Sequence, residues 1–141
     1  KRVDNGEWVE GYYCPTPFSR FPCKPSIYAV ATINDHWRGI EVIFETVGQF
    51  TGLTDKNGVK IFEGDIVKCT DTINNFDYNA VVEFGNPNGG YNWGYQLKFI
   101  SGEESNLDIL CWVDMEESGA YIEVIGNVHD NPELLKGEEN E

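Results

Sequence analysis

Residues 55–68 read Asp-Lys-Asn-Gly-Val-Lys-Ile-Phe-Glu-Gly-Asp-Ile-Val-Lys and contain the strongest local structural signal in the chain. Asn57-Gly58 tolerates the positive φ values that hairpin turns require, so residues 55–58 predict a tight turn. The apolar run that follows is typical of a strand, and Glu63-Gly64-Asp65 interrupts it. A Gly-Asp pair that begins an apolar strand is typical of small barrels, in which the chain turns a sharp corner. The segment therefore predicts a tight turn, a strand, a corner and a second strand.

Strand signals continue on both sides of this segment, separated by turn residues. The predicted strands are Glu7–Tyr13, Ser26–Ile33, Ile40–Phe44, Tyr78–Phe84, Trp93–Ile100 and Tyr121–Ile125. The second and third are expected to pair as a hairpin, whereas four prolines within 14–25 predict a loop. Residues 107–113 are predicted as a strand or a short helix, because periodicity cannot separate the two over seven residues. Asn131–Leu135, with Pro132 at the first helical position, predicts one helical turn.

This succession of elements predicts the fold class. Many short strands with turns between them, and no long amphipathic helix, are typical of an all-β barrel or sandwich. The length of 141 residues is close to the commonest size of a single domain. We therefore expect one domain over residues 1–136. The acidic end, 137–141, is expected to be a disordered tail.

The charge balance is strongly acidic, with 24 acidic against 10 basic residues and a net charge of −14. Such a surface repels phosphate backbones, because nucleic-acid affinity comes mainly from Lys and Arg that displace counterions. No apolar run approaches the roughly 18 residues that span a bilayer. We expect neither nucleic acid nor a membrane as a direct partner. The charge fits solubility alone, or an acidic face that docks on a basic partner or mimics DNA.

The cysteine spacing does not match an ordinary zinc site. Cys69 and Cys111 stand alone, and eight residues separate Cys14 from Cys23. A zinc ribbon needs close Cys-x-x-Cys pairs, because one turn must present two thiolates to the same ion. We expect four reduced thiols in a cytoplasmic protein, and no signal peptide is recognisable. The alternative is a disulfide or a metal contact that joins Cys14 and Cys23.

The sequence shows no recognisable catalytic constellation. His36 and His129 are the two histidines, each in a predicted loop, and a single histidine makes no site. Asp65 follows Gly64 at a strand start, which favours a turn-capping carboxylate over a catalytic acid. Nucleophile-elbow, metalloprotease and phosphate-loop motifs are absent from the sequence. We predict no catalytic residue, no metal site and no cofactor, and therefore a protein that is not an enzyme.

Aromatic residues next to flexible segments are the candidates for binding. Tyr91, Trp93 and Tyr95 follow the Gly- and Asn-rich loop 86–90, which could carry them to the surface. Further candidates are Phe18 and Phe21 in the proline-rich loop and Trp37 in the predicted turn. Exposed Trp and Tyr side chains make good contact surfaces for a base, a sugar or a partner protein. The alternative is that these rings pack inward and fill the ends of the fold.

Three stretches, in matching order and spacing, carry a resemblance to a known family. They are Gly6–Tyr13, Thr46–Leu53 continued by Asp55–Gly58 and Ile61–Val67, and Glu123–Leu135. On these residues the chain resembles the YopX-like proteins of bacteriophages and prophages, although residues 71–118 match only loosely. The resemblance implies a phage or prophage origin, a cytoplasmic location in a bacterial host, and a small Src-homology-three-like barrel. Extra strands or a hairpin, and at most one or two short helical turns, would complete this barrel. The resemblance implies no reaction, because the matching residues are mostly Gly, Asn, Pro and apolar strand positions, which the fold itself requires.

Three hypotheses remain for the function. The first is a non-catalytic accessory protein that binds a protein partner, such as a host protein, through loops on a rigid barrel. The second is a small-ligand protein of the nucleotide-binding or sequestering type, which requires Lys60, Lys68 and Arg38 to cluster because an acidic protein otherwise binds phosphate poorly. The third is an enzyme, which requires a cleft where His36 or His129 meets two carboxylates. Edge strands would also permit a homo-oligomer.

Overall fold

The computed structural model describes residues 1, 3–14, 26–28, 40–85, 94–100, 107–113 and 119–136. The chain forms two compact units, Lys1–Val47 and Gly48–Glu141. We call them the N-terminal unit and the C-terminal unit. The expectation of one domain over residues 1–136 stays a prediction, and the tail 137–141 lies outside the described residues.

The N-terminal unit contains a small antiparallel sheet. Its strands are β1 (Tyr12–Cys14), β2 (Ser26–Tyr28) and β3 (Ile40–Glu41), in the order β1-β2-β3, and a 3-10 turn follows at Phe44–Thr46. The pairing of β2 with β3 confirms the predicted hairpin partners. The predicted strand Glu7–Tyr13 is confirmed only at its end: β1 spans Tyr12–Cys14, and residues 7–11 are not part of a strand.

The C-terminal unit is built on a five-stranded antiparallel sheet with a separate hairpin. The hairpin strands are β4 (Phe50–Thr54) and β5 (Lys60–Phe62). The sheet strands are β6 (Asp65–Asp71), β7 (Phe76–Gly85), β8 (Gly94–Phe99), β9 (Leu107–Asp108) and β10 (Ala120–Asn127), and the helix α1 (Ile109–Val113) follows β9 directly. The strand order is β10-β6-β7-β8-β9. Residues 107–113 thus contain both elements that the sequence left open.

One face of this sheet carries the core of the C-terminal unit. Alternate residues of the central strands point to this face because side chains in a strand have a period of two. The fully or almost fully buried members are Ile61, Val67, Cys69, Ala80, Val82, Leu97, Ile109, Trp112, Ala120 and Ile122. Ile61 comes from the hairpin and Ile109 and Trp112 from α1, so both elements pack on the sheet. Burial of each large aliphatic chain stabilises the fold by about 1.5–3 kcal/mol relative to exposure.

The hairpin turn lies where the sequence predicts it. The Asp55 carboxylate accepts backbone N–H groups from Asn57 at 2.8 Å and Val59 at 2.9 Å. Gly58 has a φ of +80°, which a residue with a side chain rarely adopts. The second oxygen of Asp55 accepts the N–H of Val124 on β10 at 2.9 Å, so the turn is also fixed to the sheet.

The predicted corner is confirmed at Glu63-Gly64. The strand β5 ends at Phe62 and β6 begins at Asp65, so two residues redirect the chain. Gly64 has a φ of +90°, and it donates its N–H to Val82 O at 2.8 Å while its carbonyl accepts from Val128 N–H at 2.9 Å. These two bonds tie the corner to β7 and to the residue that follows β10.

The fold class is confirmed as mostly β, with α1 and two 3-10 turns as the helical elements among the described residues. The second 3-10 turn, Pro132–Leu135, corresponds to the predicted helical turn. Within the described part, β9 and β10 form the two ends of the sheet and are not paired with each other, so these strands do not close into a barrel. The Src-homology-three-like detail of the prediction is therefore not confirmed. The described part contains no helix with the length and apolar character to cross a bilayer.

Candidate functional site

Tyr95 is the predicted contact residue that the structure describes. The other five candidates, Phe18, Phe21, Trp37, Tyr91 and Trp93, lie outside the described residues. Tyr95 is the second residue of β8 and pairs in register with Phe84 on β7. Their rings form an edge-to-face pair with centroids 5.2 Å apart and an interplanar angle of 64°. Such pairs contribute about 0.5–1.5 kcal/mol beyond the area that they bury.

Phe84 and Tyr95 mark the place where the core face reaches the surface. The preceding pair on the same face, Val82 and Leu97, is fully buried. One pair further along, the Phe84 side chain is 54% exposed. Tyr95 still packs against the core cluster, so it connects buried and exposed parts of one continuous apolar face.

The hairpin places a second pair of aromatic residues near Tyr95. The Tyr95 hydroxyl donates to Gln49 Oε1 at 3.2 Å and lies 3.5 Å from the carbonyl oxygen of Phe50. Phe50 is 42% exposed, and its ring centroid lies 5.4 Å from that of Phe62, its neighbour on β5. We call Phe50, Phe62, Phe84 and Tyr95 the aromatic patch.

The electrostatic surroundings keep the hydroxyl of the patch protonated. Burial raises the pKa of Tyr95, and the nearby negative charge of Glu63 raises the same pKa further. Tyr95 is therefore a hydrogen-bond donor at neutral pH rather than a base. At the other end of the patch, Lys60 Nζ lies 5.5 Å from the centroid of the Phe50 ring, within the range of a cation–π contact.

A comparison with family models decides the relationship of the chain. The model described as YopX protein matches residues 22–136, which is more than half of the sequence. The chain belongs to the YopX family. No curated protein and no solved structure matches it. The family assignment confirms the suspected family, and the matched range contains the middle and closing signatures but not Gly6–Tyr13. Phage or prophage origin stays a prediction.

Three patch residues of this YopX-family protein were missed by the sequence interpretation. Phe84 lies two residues after Val82, on the same face of the predicted strand, so the sequence pattern indicates one more buried position. Phe50 and Phe62 likewise occupy strand positions, and their local pattern does not show that the strands lie side by side at an end of the apolar face. The register of β7 with β8 places Phe84 beside Tyr95, and register depends on long-range pairing.

The structure describes three of the ionisable residues that were weighed as possible site residues: Asp65, Cys69 and His129. Asp65 caps the corner by accepting the Phe62 N–H at 2.8 Å, as predicted. Cys69 is a free, fully buried thiol, and burial raises its pKa to about 12, so it stays protonated and unreactive. His129 is exposed beside the Gly64 corner, whereas His36, Cys14 and Cys23 are not described with side chains.

Two other site chemistries, metal and phosphate binding, involve residues of this YopX-family chain that are only partly described. The described residues contain no group of three or more His, Cys, Asp or Glu that could hold a metal ion. Lys68 pairs with Asp77 at 3.4 Å, and Lys60 Nζ lies 5.5 Å from the Phe50 ring centroid. Arg38, the third residue of the proposed phosphate cluster, lies outside the described residues.

A small pocket lies between the hairpin turn, β10 and α1. Its volume is about 120 Å³, and it is lined by Thr54, Asp55, Lys56, Trp112, Ala120, Tyr121 and Ile122. Ligand sites for drug-sized molecules are larger, at roughly 300–1,000 Å³. Lys56 partly occupies the rim, since its Nζ lies 4.5 Å from the Tyr121 ring centroid and 3.3 Å from Glu123 Oε2. The aromatic patch is therefore the better candidate for a functional surface.

Proposed function

We propose that this YopX-family protein is a non-catalytic binding module that contacts a protein partner through the aromatic patch. In this proposal it acts as a phage or prophage accessory protein in the cytoplasm of the bacterial host. The observation that carries the proposal is the exposed ring of Phe84, held at the end of the sheet by its contact with Tyr95.

The exposure of these rings has an energetic consequence. Apolar side chains that cluster on a surface stay hydrated until a partner covers them, and such patches often mark interaction sites. Aromatic residues are enriched at the centres of interfaces because they bury a large area with few rotatable bonds. Phe84 and Phe50, which are 54% and 42% exposed, provide such area on two elements that Tyr95 joins.

The rings of the patch are also positioned before any partner arrives. Tyr95 is held by its hydroxyl on Gln49, by the edge-to-face contact with Phe84 and by the core beneath it. A preordered contact surface loses less conformational entropy on binding, which improves affinity. The support for this proposal is thus the combination of exposed rings and a Tyr95 side chain held by three contacts.

Affinity capture with a matched pair of variants tests this function. The Phe84→Ala variant removes the exposed ring of the patch. The control, Tyr78→Ala, removes a ring that is 41% exposed and whose centroid lies 4.4 Å from that of Phe76. Tyr78 lies on the same strand and the same sheet face as Phe84, but at the other end of β7. We expect wild type and Tyr78→Ala to retain the same host protein, and Phe84→Ala to lose at least about 80% of it, as removal of a hot-spot ring implies.

Two further results decide how that capture is interpreted. Both variants must show the melting behaviour of a folded protein, although each loses a ring contact and is expected to be less stable than wild type by about 1–3 kcal/mol. If all three baits retain the same proteins in equal amounts, the aromatic patch is not the binding surface and the proposal fails.

A further inference from the structure

We infer that the partner segment recognised by the aromatic patch is cationic and carries arginine, whose guanidinium group stacks on the exposed face of Phe84. The inference rests on the proposed function, because it names the chemistry of the partner at the same surface. It follows from the charge around the patch, from the exposure of Phe84 and from the lysine–aromatic contacts that the chain already contains.

The charge around the patch favours a cation. Glu63 directly follows the patch residue Phe62 in the chain, and its negative charge contributes to the raised pKa of Tyr95. The whole chain carries a net charge of −14. This excess also disfavours a second copy of the chain as the occupant, since two acidic surfaces repel each other.

Lys60 adds a positive charge at the Phe50 end of the patch, whereas three other lysines of the C-terminal unit are held in ion pairs. Ion pairs engage Lys56 with Glu123, Lys68 with Asp77 and Lys98 with Glu83, at 3.3, 3.4 and 3.9 Å. Each pair neutralises itself locally, so the carboxylates outside such pairs dominate the long-range field. An approaching arginine-bearing segment is therefore attracted before it makes contact.

The geometry of Phe84 leaves a ring face for the partner. Phe84 and Tyr95 meet edge to face rather than stacked, and more than half of the Phe84 side chain is exposed. The Phe50 face differs, because Lys60 Nζ already lies 5.5 Å above it. Phe84 is thus the most exposed ring of the patch and the better site for a cation from a partner.

Aromatic rings of this chain already attract cations within the molecule. Besides the Lys60–Phe50 contact, Lys56 Nζ lies 4.5 Å from the Tyr121 ring centroid. Arginine suits an exposed ring better than lysine, because its planar guanidinium is more weakly hydrated and stacks on aromatic faces. The inferred intermolecular contact between arginine and Phe84 is thus of the same cation–π type as the intramolecular contacts of Lys56 and Lys60.

Peptide titration followed by amide NMR signals tests this inference. The probes are Gly-Arg-Gly-Arg-Gly, the matched lysine peptide and the uncharged Gly-Trp-Gly-Leu-Gly, each added to the isotopically labelled full chain. We expect the arginine peptide to shift the amides of Phe50, Phe84, Gly85 and Tyr95, with a Kd at least about threefold lower than that of the lysine peptide. Raising the salt concentration should weaken the arginine peptide's binding, since charge attraction contributes to it.

Variants identify the groups responsible for that binding. Phe84→Ala should weaken arginine-peptide binding at least about fivefold, whereas Tyr78→Ala should leave it unchanged. Glu63→Gln should weaken it about threefold, whereas Asp77→Asn, which removes an equal charge at the other end of β7, should not. Equal effects of both charge removals would show diffuse attraction to an acidic surface and would overturn the inference.

The uncharged peptide separates this inference from the proposed function. If it shifts the patch amides while the arginine peptide does not, the patch binds proteins but its partner is not cationic. If no peptide shifts these amides, the inference is overturned, and the capture experiment with Phe84→Ala decides the proposed function independently.

Discussion

Asp65 is a carboxylate whose environment opposes its charge. Burial raises its pKa to about 6, and the hydrogen bond from the Phe62 N–H only partly opposes this increase. An unfolded aspartate has a pKa of about 3.9. The folded protein therefore binds more protons than the unfolded chain at pH values between these two, so the contribution of Asp65 to stability falls as the pH rises through this window.

The fall of the Asp65 contribution with rising pH predicts a specific pH profile for the Asp65→Asn variant. The asparagine amide oxygen can still accept the Phe62 N–H, but the side chain no longer titrates. We expect the free energy of unfolding of wild type, relative to the variant, to decrease between about pH 4 and pH 6 and to be level above pH 7. Urea unfolding at a series of pH values measures it, and a difference that increases with pH would contradict the assignment.

Residue roles that depend on neighbours in sequence could be predicted, whereas others could not. The capping role of Asp65 follows from the adjacent Gly64 and the strand that begins there, and the structure confirms it. The exposure of Phe84 depends on where the buried face ends, which is decided by pairing with β8. The pKa of Asp65 similarly depends on the surrounding packing rather than on the local sequence.

At the scale of elements, Asp55 connects the hairpin turn to the sheet. One carboxylate oxygen holds the turn through Asn57 and Val59, and the other accepts the Val124 N–H on β10. The neighbouring Lys56 N–H donates to Ile122 O at 3.0 Å. The turn thus satisfies backbone groups on an edge strand, and covered edges resist pairing with other chains.

The Asp55→Asn variant tests this connection. Burial tends to raise the pKa of Asp55, but the three backbone N–H groups and Lys56 outweigh it and lower the pKa. In asparagine one of the two acceptor oxygens becomes an amide nitrogen, which meets a backbone N–H in either orientation, so we expect the free energy of unfolding to fall by about 1–3 kcal/mol at pH 7.

The control for this variant is Asp77→Asn, which disrupts an exposed ion pair with Lys68 and should change stability by less than about 1 kcal/mol. The difference between Asp55→Asn and wild type should decrease as the pH falls through the lowered pKa of Asp55, because the charged form makes the bonds. Equal stability of both variants in urea unfolding at pH 7 would contradict the role of Asp55.

The elements themselves show the same division between local and long-range information. The turn at 55–58 and the corner at 63–64 follow from Asn, Gly and Asp at defined positions, and both are confirmed. The bond between Asp55 and Val124 joins residues 69 positions apart, which no local pattern indicates. The strand β7 begins at Phe76, two residues before its predicted start, because pairing with β6 extends it toward the turn.

At the scale of the whole molecule, the family signatures explain the scaffold. The middle and closing signatures meet where the Val128 N–H donates to Gly64 O. Within the closing signature, Asn127 Oδ1 accepts the N–H groups of His129 and Asp130. A Cβ on Gly126 would lie 2.5 Å from Asn131 Oδ1, so a larger residue at 126 would force Asn131 to move. These matched residues form the fold, so family membership by itself names no activity. Function is better sought in residues that the scaffold leaves exposed.

The aromatic patch is the surface for which we propose this role, and its most exposed ring, Phe84, can be examined in living cells. A photo-crosslinking phenylalanine analogue at position 84, compared with the same analogue at position 78, measures direct contact without depending on a retained complex. We predict a discrete adduct between this YopX-family protein and one partner from position 84 and none from position 78. Equal adducts from both positions, or none from position 84, would contradict the account.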